Sequence, residues 1–282
     1  MIKLEHVVLP NQYQMEFIIE GMRNPLNSWE MSDSGYCVEI HEGCLFNESC
    51  VSCAHYEEGF PTSTFPPNSS PILNTQWCAG KNDYRLMKRL ADAGTDHRKF
   101  MRMMPVYIRI AAPLYWWKEF DTYKVGTVAN SCSTMHKIAD KEFSLEDFST
   151  EHLTAESVTF GLEPLIDILN KNREAYLMWV GAGEGKKKLW WQMIQLLPSS
   201  YNQTRNVMLN YEVLANMYKS RKNHKLDEWH IFCDWIETLP YSELITGQPF
   251  KNIPICDDMV EAINRSSNVN AISSKEPKTD EE

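Results

Sequence analysis

Residues 106–110 set the first limit on the fold. Val106, Ile108 and Ile110 alternate with Tyr107 and Arg109, which is the two-residue period of a strand with one buried face. Pro113 follows where the first turn of a helix accepts proline. The expectation is therefore a strand, a helix running to about residue 124, and a turn at 126–130. Nearly every other periodic stretch has helical spacing. A helix-rich chain with few strands and no regular βαβ alternation predicts an α+β fold rather than a doubly wound sheet.

Leu86, Met87 and Leu90 form a helical stripe over 82–93, with Asn82 as its N-cap and Gly94 just past its end. Ser144 with Asp147, and Thr154, are further capping signals. Helices are expected over 154–177, over 186–196 with Pro198 as a stop, over 205–222, and over 226–238 with Pro240 as a stop. Near the start, Leu4, Val7, Val8 and Leu9 predict a short strand that Pro10 interrupts. Residues 35–79 hold five of the eight cysteines, three glycines and four prolines, with little periodicity; they read as a loop insertion. Residues 264–282 have almost no large apolar side chains and read as a disordered polar tail. The expected organisation is one α+β domain over 1–263, carrying the insertion at 35–79.

A net charge of −10 on 282 residues speaks against non-specific nucleic-acid binding, which needs basic surface. A small phosphorylated ligand remains open, since a few local cations suffice. No apolar run approaches the roughly 18 residues that would span a membrane, and MIKLEHVVLPNQ lacks the apolar core of a signal peptide. A cytoplasmic protein with no membrane partner is expected, and its cysteines are expected to be thiols.

Cys50-x-x-Cys53, with Cys37, Cys44, Cys78, His41 and His55, offers zinc-ligand chemistry. With a single CxxC, the preferred reading is a loop of unpaired thiols, and no metal is assigned. Gly181-Ala-Gly-Glu-Gly-Lys-Lys-Lys188 lacks the GK[ST] ending of a phosphate loop and reads as a flexible turn with a solvated basic helix start. Residues 111–137 combine two Trp, two Tyr, three Lys and the polar run Asn130-Ser-Cys-Ser-Thr134. Lys124 with that run would make an anion nest; the alternative is an ordinary polar turn. Asn210, Leu214, Met217 and Arg221 fall at i, i+4, i+7 and i+11, placing Asn210 and Arg221 on one helix face about 16 Å apart. A polar pair on a core-facing stripe needs partners. Either Arg221 pairs with Asp227 or Glu228, or its guanidinium meets an anionic ligand.

Taken together, these segments resemble the flavin-dependent thymidylate synthases. Ala112-Pro113 opens the helix as in that family. Thr122-Tyr123-Lys124 stands where the family has an Arg-His-Arg triplet, and Cys132 follows at the spacing of its Ser. Leu197-Pro198, Asn210, Asn216 and Arg221 keep the spacing of its second half, with Leu214 between them and Trp229 beyond. Gly94-Thr-Asp-His97 loosely matches its Gly-His-Glu. The resemblance covers about residues 94–236. Two of the three cations in the triplet are missing, and Ile194 replaces a nucleotide-binding Arg; Lys118, Lys137 and Arg205 are candidates to compensate.

The resemblance implies a mixed, largely antiparallel sheet with a helical layer, and a homotetramer with sites between subunits. It implies FAD as cofactor, NADPH and methylenetetrahydrofolate as co-substrates, and transfer of a one-carbon unit to deoxyuridylate, dUMP to dTMP. Tyr123, Asn130, Asn210 and Asn216 would meet the flavin. Lys124, Ser131, Cys132, Ser133 and Arg221 would hold the nucleotide, with the tryptophans and tyrosines of 111–137 as stacking surfaces. The alternative is a non-catalytic relative that keeps the fold and binds nucleotide or protein.

Overall fold

The computed structural model describes residues 2–37, 76–181 and 183–249. Most of the cysteine-rich insertion, including Cys44, Cys50 and Cys53, and the polar tail lie outside the described residues.

A four-stranded sheet organises the chain, in the order β1 (Lys3–Val8), β4 (Pro105–Pro113), β6 (Asn202–Asn210), β5 (Val128–Ser131), and its neighbours all pair antiparallel. The two central strands are the most apolar on one face. Val106 lies opposite Leu209 and Ile108 opposite Val207, and all four are buried. Such cross-strand β-branched and aliphatic pairs are what hold a sheet to its core. The opposite face presents Tyr107, Arg109 and Asn206 to solvent.

Five helices pack on the buried face with the sheet: α1 (Gln12–Arg23), α2 (Lys81–Asp92), α3 (Leu114–Phe120), α7 (Tyr211–Arg221) and α8 (Asp227–Glu237). In α1, Asn11 and Gln14 form a reciprocal capping box, and Met15, Ile18, Ile19 and Met22 make the buried stripe. The short helix α9 (Glu243–Thr246) closes the same core. A second, smaller core lies where the short α4 (Thr134–Lys137) and the following loop meet the hairpin of α5 (Glu163–Met178) and α6 (Glu184–Leu196). Ile138, Phe143, Ile166, Leu169 and Met193 are buried there, and Ile194 packs against them.

The helices expected over 154–177 and 226–238 are present, the first entered through a turn capped by Thr154 and a π-helical turn at Val158–Leu162. Four expectations need correction. The stretch 205–222 is not one helix: residues to Asn210 belong to β6, because Val207 and Leu209 point inward while Asn206 and Met208 point out, a period of two. Residues 126–130 are not all turn, because β5 begins at Val128. Asn82 does not cap its helix. Gly80 holds the cap position, and the Asp33 carboxylate accepts the N–H groups of Asn82 and Asp83 from across the fold. The ends of the insertion are not loop: Gly35–Cys37 (β2) and Gln76–Cys78 (β3) pair antiparallel at its root.

That root is tied down by Asp83. Its buried carboxylate accepts Arg23 Nε at 2.5 Å, the Ser32 and Ser34 hydroxyls, and the N–H groups of Asp33 and Ser34. One buried acid thereby joins α1, α2 and the chain leading into the insertion.

Candidate functional site

The strand register brings part of the sequence-derived site together. On β5, Asn130 lies opposite Asn206 and Ser131 opposite Arg205. The Cys132 N–H donates to the Thr204 carbonyl, extending the ladder by one rung. Asn130, Ser131 and Cys132 then line a polar cleft of about 340 Å³ with His6, Arg109, Thr204 and Asn206. Ser133 turns away to cap α4, accepting the His136 N–H at 3.1 Å. Lys124 is exposed on the turn before β5.

The second half of the expected site lies elsewhere and is internally engaged. Arg221 Nη1 lies 2.5 Å from Glu119 Oε2, and its Nε donates to the Tyr123 hydroxyl at 3.0 Å. The guanidinium also rests over the rings of Trp229 and Tyr123. Arg221 is thus paired to a carboxylate, but to Glu119 rather than Asp227 or Glu228. Glu228 instead accepts the Tyr115 hydroxyl. The single-face reading of Asn210 and Arg221 fails with the helix that carried it, because Asn210 is the N-cap of α7 and its Oδ1 accepts the Val213 N–H at 3.0 Å. Asn210 also packs on the turn before β5: a Cβ at Gly126, whose φ is +78°, would meet Val213 and the Asn210 amide at 3.0 and 3.1 Å. Asn216 is exposed and accepts Arg98 Nη2 at 3.1 Å, and Arg98 is itself paired with Glu212.

The tryptophans of the expected stacking surface are not available, while Tyr115 and Tyr123 stay half-buried. Trp116 and Trp117, with Trp229, are at most 1% exposed, and in the core Trp116 packs edge to face on Trp117 and tilted on Trp229. Aromatic area of this size is worth more buried than displayed. The compensating cations fare unevenly. Arg205 is occupied, pairing with Asp121 at 2.7 Å, donating to Gln203 and capping Trp117 at 4.1 Å. Lys137 makes an exposed pair with Asp140, whose carboxylate holds the ammonium pKa above its ordinary value.

Four residues of the cleft, His6, Arg109, Thr204 and Asn206, escape the sequence reading. Arg109 is the outward residue of a central strand, which reads in sequence only as the polar half of an alternation. His6 stands at a bulge where the β1–β4 register shifts between Glu5 and Val8, with φ at +51°. No sequence signal marks it. Of the zinc candidates, Cys37 lies in β2, and among the described residues no three His, Cys, Asp or Glu side chains are grouped to hold a metal. Among the described residues no helix is long and apolar enough to cross a membrane.

No protein-family model matches the sequence, and neither does any curated protein. Solved structures do match. Thymidylate synthase X (ThyX) from Helicobacter pylori, with FAD and dUMP, is similar at a TM-score of 0.50 and 13% identity, over 87% of this chain and 95% of that one. A second structure of the flavin-dependent thymidylate synthase ThyX from Helicobacter pylori, complexed with FAD and dUMP, gives 0.50 and 12%, over 87% and 96%. The UMP/dUMP methylase PolB from Streptomyces cacaoi, bound with 5-Br UMP, aligns at a TM-score of 0.40 and 12% identity over 59% of this chain and 82% of that one. At such identities the likeness is one of fold: the helix-rich antiparallel α+β architecture is thymidylate synthase X-like.

Proposed function

We propose that this chain binds FAD and a pyrimidine deoxynucleotide and transfers a one-carbon unit to the nucleotide, dUMP to dTMP, with methylenetetrahydrofolate and NADPH as co-substrates. The observation that carries this reading is the cleft. On a fold shared with a protein solved with FAD and dUMP, the residues expected near both ligands, Asn130, Ser131 and Cys132, line one polar cavity. The amide and hydroxyl groups of its lining, with Arg109 beside them, fit phosphate oxygens and the polar edge of a heterocycle. The buried tryptophans do not fit an isoalloxazine ring, so no step is assigned to ring stacking. When bound, FAD supplies the redox chemistry. The chain's own part is to bind and orient: Asn130 and Ser131 donate to ligand oxygens, and Cys132 borders the reacting end.

The remaining expected residues, Tyr123, Asn210, Asn216 and Arg221, are not among those lining this cleft. A homo-oligomer, tetrameric in this reading, would bring the two halves together from different chains.

A second reading rests on one observation. Arg221, expected to hold the nucleotide, is neutralised by Glu119. That favours a non-catalytic relative that keeps nucleotide binding and has lost the flavin chemistry. The test is the visible spectrum of the purified protein with and without added FAD, followed by dUMP titration. A flavin spectrum that shifts with dUMP upholds the first reading. dUMP binding without FAD binding selects the second. Binding of neither removes both.

A further inference from the structure

The uncovered face of the sheet has an order that the expected site residues do not explain. One row crosses all four strands: Glu5 on β1, Arg109 on β4, Asn206 on β6 and Asn130 on β5 are successive register partners. Directly paired residues in an antiparallel ladder share a face, so this row is a cation flanked by two carboxamides on one side and a carboxylate on the other. Two residues along, Tyr107, Met208 and Val128 form the neighbouring row. Two residues of strand span about 7 Å. A polar, cationic centre therefore lies about 7 Å from a shelf of one aromatic and two aliphatic side chains. Tyr107 is 48% exposed and Val128 61%.

Arg109, on the solvent face of the sheet, differs from the arginines packed elsewhere in the fold. Arg23, Arg98, Arg205 and Arg221 each have a carboxylate partner. The Arg109 side chain has no hydrogen bond or ion pair among the described residues, not even to Glu5 across the ladder. A guanidinium carries five donors in a fixed fork that suits a phosphate, and Arg109 lines the same cavity as Asn130, Ser131, Thr204 and Asn206. His6 is brought to the same cavity by the bulge. A non-glycine residue at φ +51° is strained by about 1–2 kcal/mol, and bulges commonly re-aim a side chain at a site.

We propose that Arg109 is the phosphate receptor of the cleft, with Asn130 and Asn206 as auxiliary donors, and that the ligand is a nucleoside monophosphate whose ring lies along Tyr107. Arg109 then supplies from the central strand a charge that Thr122 and Tyr123 do not supply from the turn. The inference rests on the nucleotide reading above. Arg109 is central and its side chain has no partner among the described residues, whereas Arg205, on the neighbouring strand, is engaged by Asp121, Gln203 and Trp117.

The experiment compares dUMP with deoxyuridine, using full-length protein and isothermal titration. The wild type is expected to prefer dUMP by about 10- to 100-fold, the scale of one bidentate phosphate contact. Arg109→Gln should erase that preference and leave deoxyuridine binding in place, while Tyr107→Ala should weaken both ligands by a similar factor. Because Arg109 has no intramolecular partner, the Arg109→Gln protein should melt where the wild type does; if it does not fold, Arg109→Lys, which keeps the charge and loses the fork, should show a reduced preference. Unchanged dUMP affinity in Arg109→Gln, or no preference in the wild type, overturns the inference and leaves the nucleotide reading standing. If the wild type binds neither dUMP nor FAD, the nucleotide reading fails and inorganic pyrophosphate decides the rest. Pyrophosphate that slows alkylation of Cys132 in the wild type but not in Arg109→Gln upholds the anion site, and absence of protection overturns it.

Discussion

Glu119 Oε2 lies 2.5 Å from Arg221 Nη1, and His224 Nε2 lies 3.7 Å from the same oxygen. The pair joins the end of α3 to the end of α7 over the face of Trp229. An arginine held this way is part of the fold until an anion displaces the carboxylate. Arg221→Ala is therefore expected to lower stability by about 1–3 kcal/mol, the range for a lost charged hydrogen bond together with a ring contact. Glu119→Gln keeps the shape and removes the competing charge. It is expected to raise anion affinity several-fold at little cost in stability. Chemical denaturation and dUMP titration of the two variants check both statements, and a Glu119→Gln protein that binds no better than wild type would sever Arg221 from the nucleotide.

Asp83 and Arg23 make the most buried ion pair among the described residues, with side chains 0% and 4% exposed. Removing one partner strands a charge in the core. Asp83→Asn or Arg23→Met alone should cost about 3–5 kcal/mol. The double variant Arg23→Met, Asp83→Leu should cost less than either single one, since no charge is left behind. Urea unfolding midpoints of the three proteins check this. A double variant as unstable as the sum of the singles would mean that the hydrogen bonds from Ser32, Ser34 and the chain of residues 33–34 matter more than the charge.

Burial raises several acid groups above their ordinary range. The Cys233 thiol is pushed up to about 11, first by burial and then by Asp234 and Glu237. Burial likewise raises the phenols of Tyr84, beside Glu243, and of Tyr211, whose hydroxyl donates to the Pro240 carbonyl. In the unfolded chain these groups ionise near pH 8.5 to 10. The folded state holds their protons to higher pH, so its stability is complete below that range and falls as pH rises through it. The slope is about 1.4 kcal/mol per pH unit for each group. Denaturation at pH 8, 10 and 11 should show the loss, and Tyr211→Phe should flatten it by one proton.

Cys132 is exposed on the rim of the cleft and Cys233 is buried in α8. Alkylation near pH 8 followed by peptide mapping is expected to modify Cys132 readily and to spare Cys233. Cys132→Ser should leave the melting temperature unchanged, because the ladder bond to Thr204 uses the backbone N–H rather than the thiol.

How far the sequence could be read depended on which period governed each stretch. The strand at 106–110 was legible because its alternation is strict, and the helices beginning at Thr154 and near residue 226 because their caps and stops are local. The stretch 205–222 misled because Asn210, Leu214, Met217 and Arg221 keep helical spacing across a strand–helix junction, and the first of them only caps the helix. Polar side chains with remote partners could not be paired in advance. Asp33 caps a helix that begins nearly 50 residues later, and Glu119 reaches Arg221 across about a hundred. His6 enters the cleft through a bulge, a feature of pairing that no single strand encodes.

The outer side of the α5–α6 hairpin carries the apolar surface that an oligomer would cover. Met178 is 76% exposed at the end of α5, with Leu177, Trp179, Val180 and, on α6, Trp191 also open to solvent. Scattered apolar residues are ordinary, but Leu177, Met178, Trp179 and Val180 are consecutive and exposed where α5 ends, a run of the kind found at interfaces. A symmetric assembly would bury it twice per contact and could bring Arg221 of one chain toward the cleft of another. Light scattering is expected to give a mass well above the 32.8 kDa of one chain. Met178→Glu with Val180→Glu should shift the protein toward monomer with little change in its unfolding midpoint, since neither side chain is in the core. If both assembly and nucleotide binding are lost while folding is kept, the site depends on more than one chain. If assembly is lost and binding survives, the cleft with Arg109 is sufficient alone.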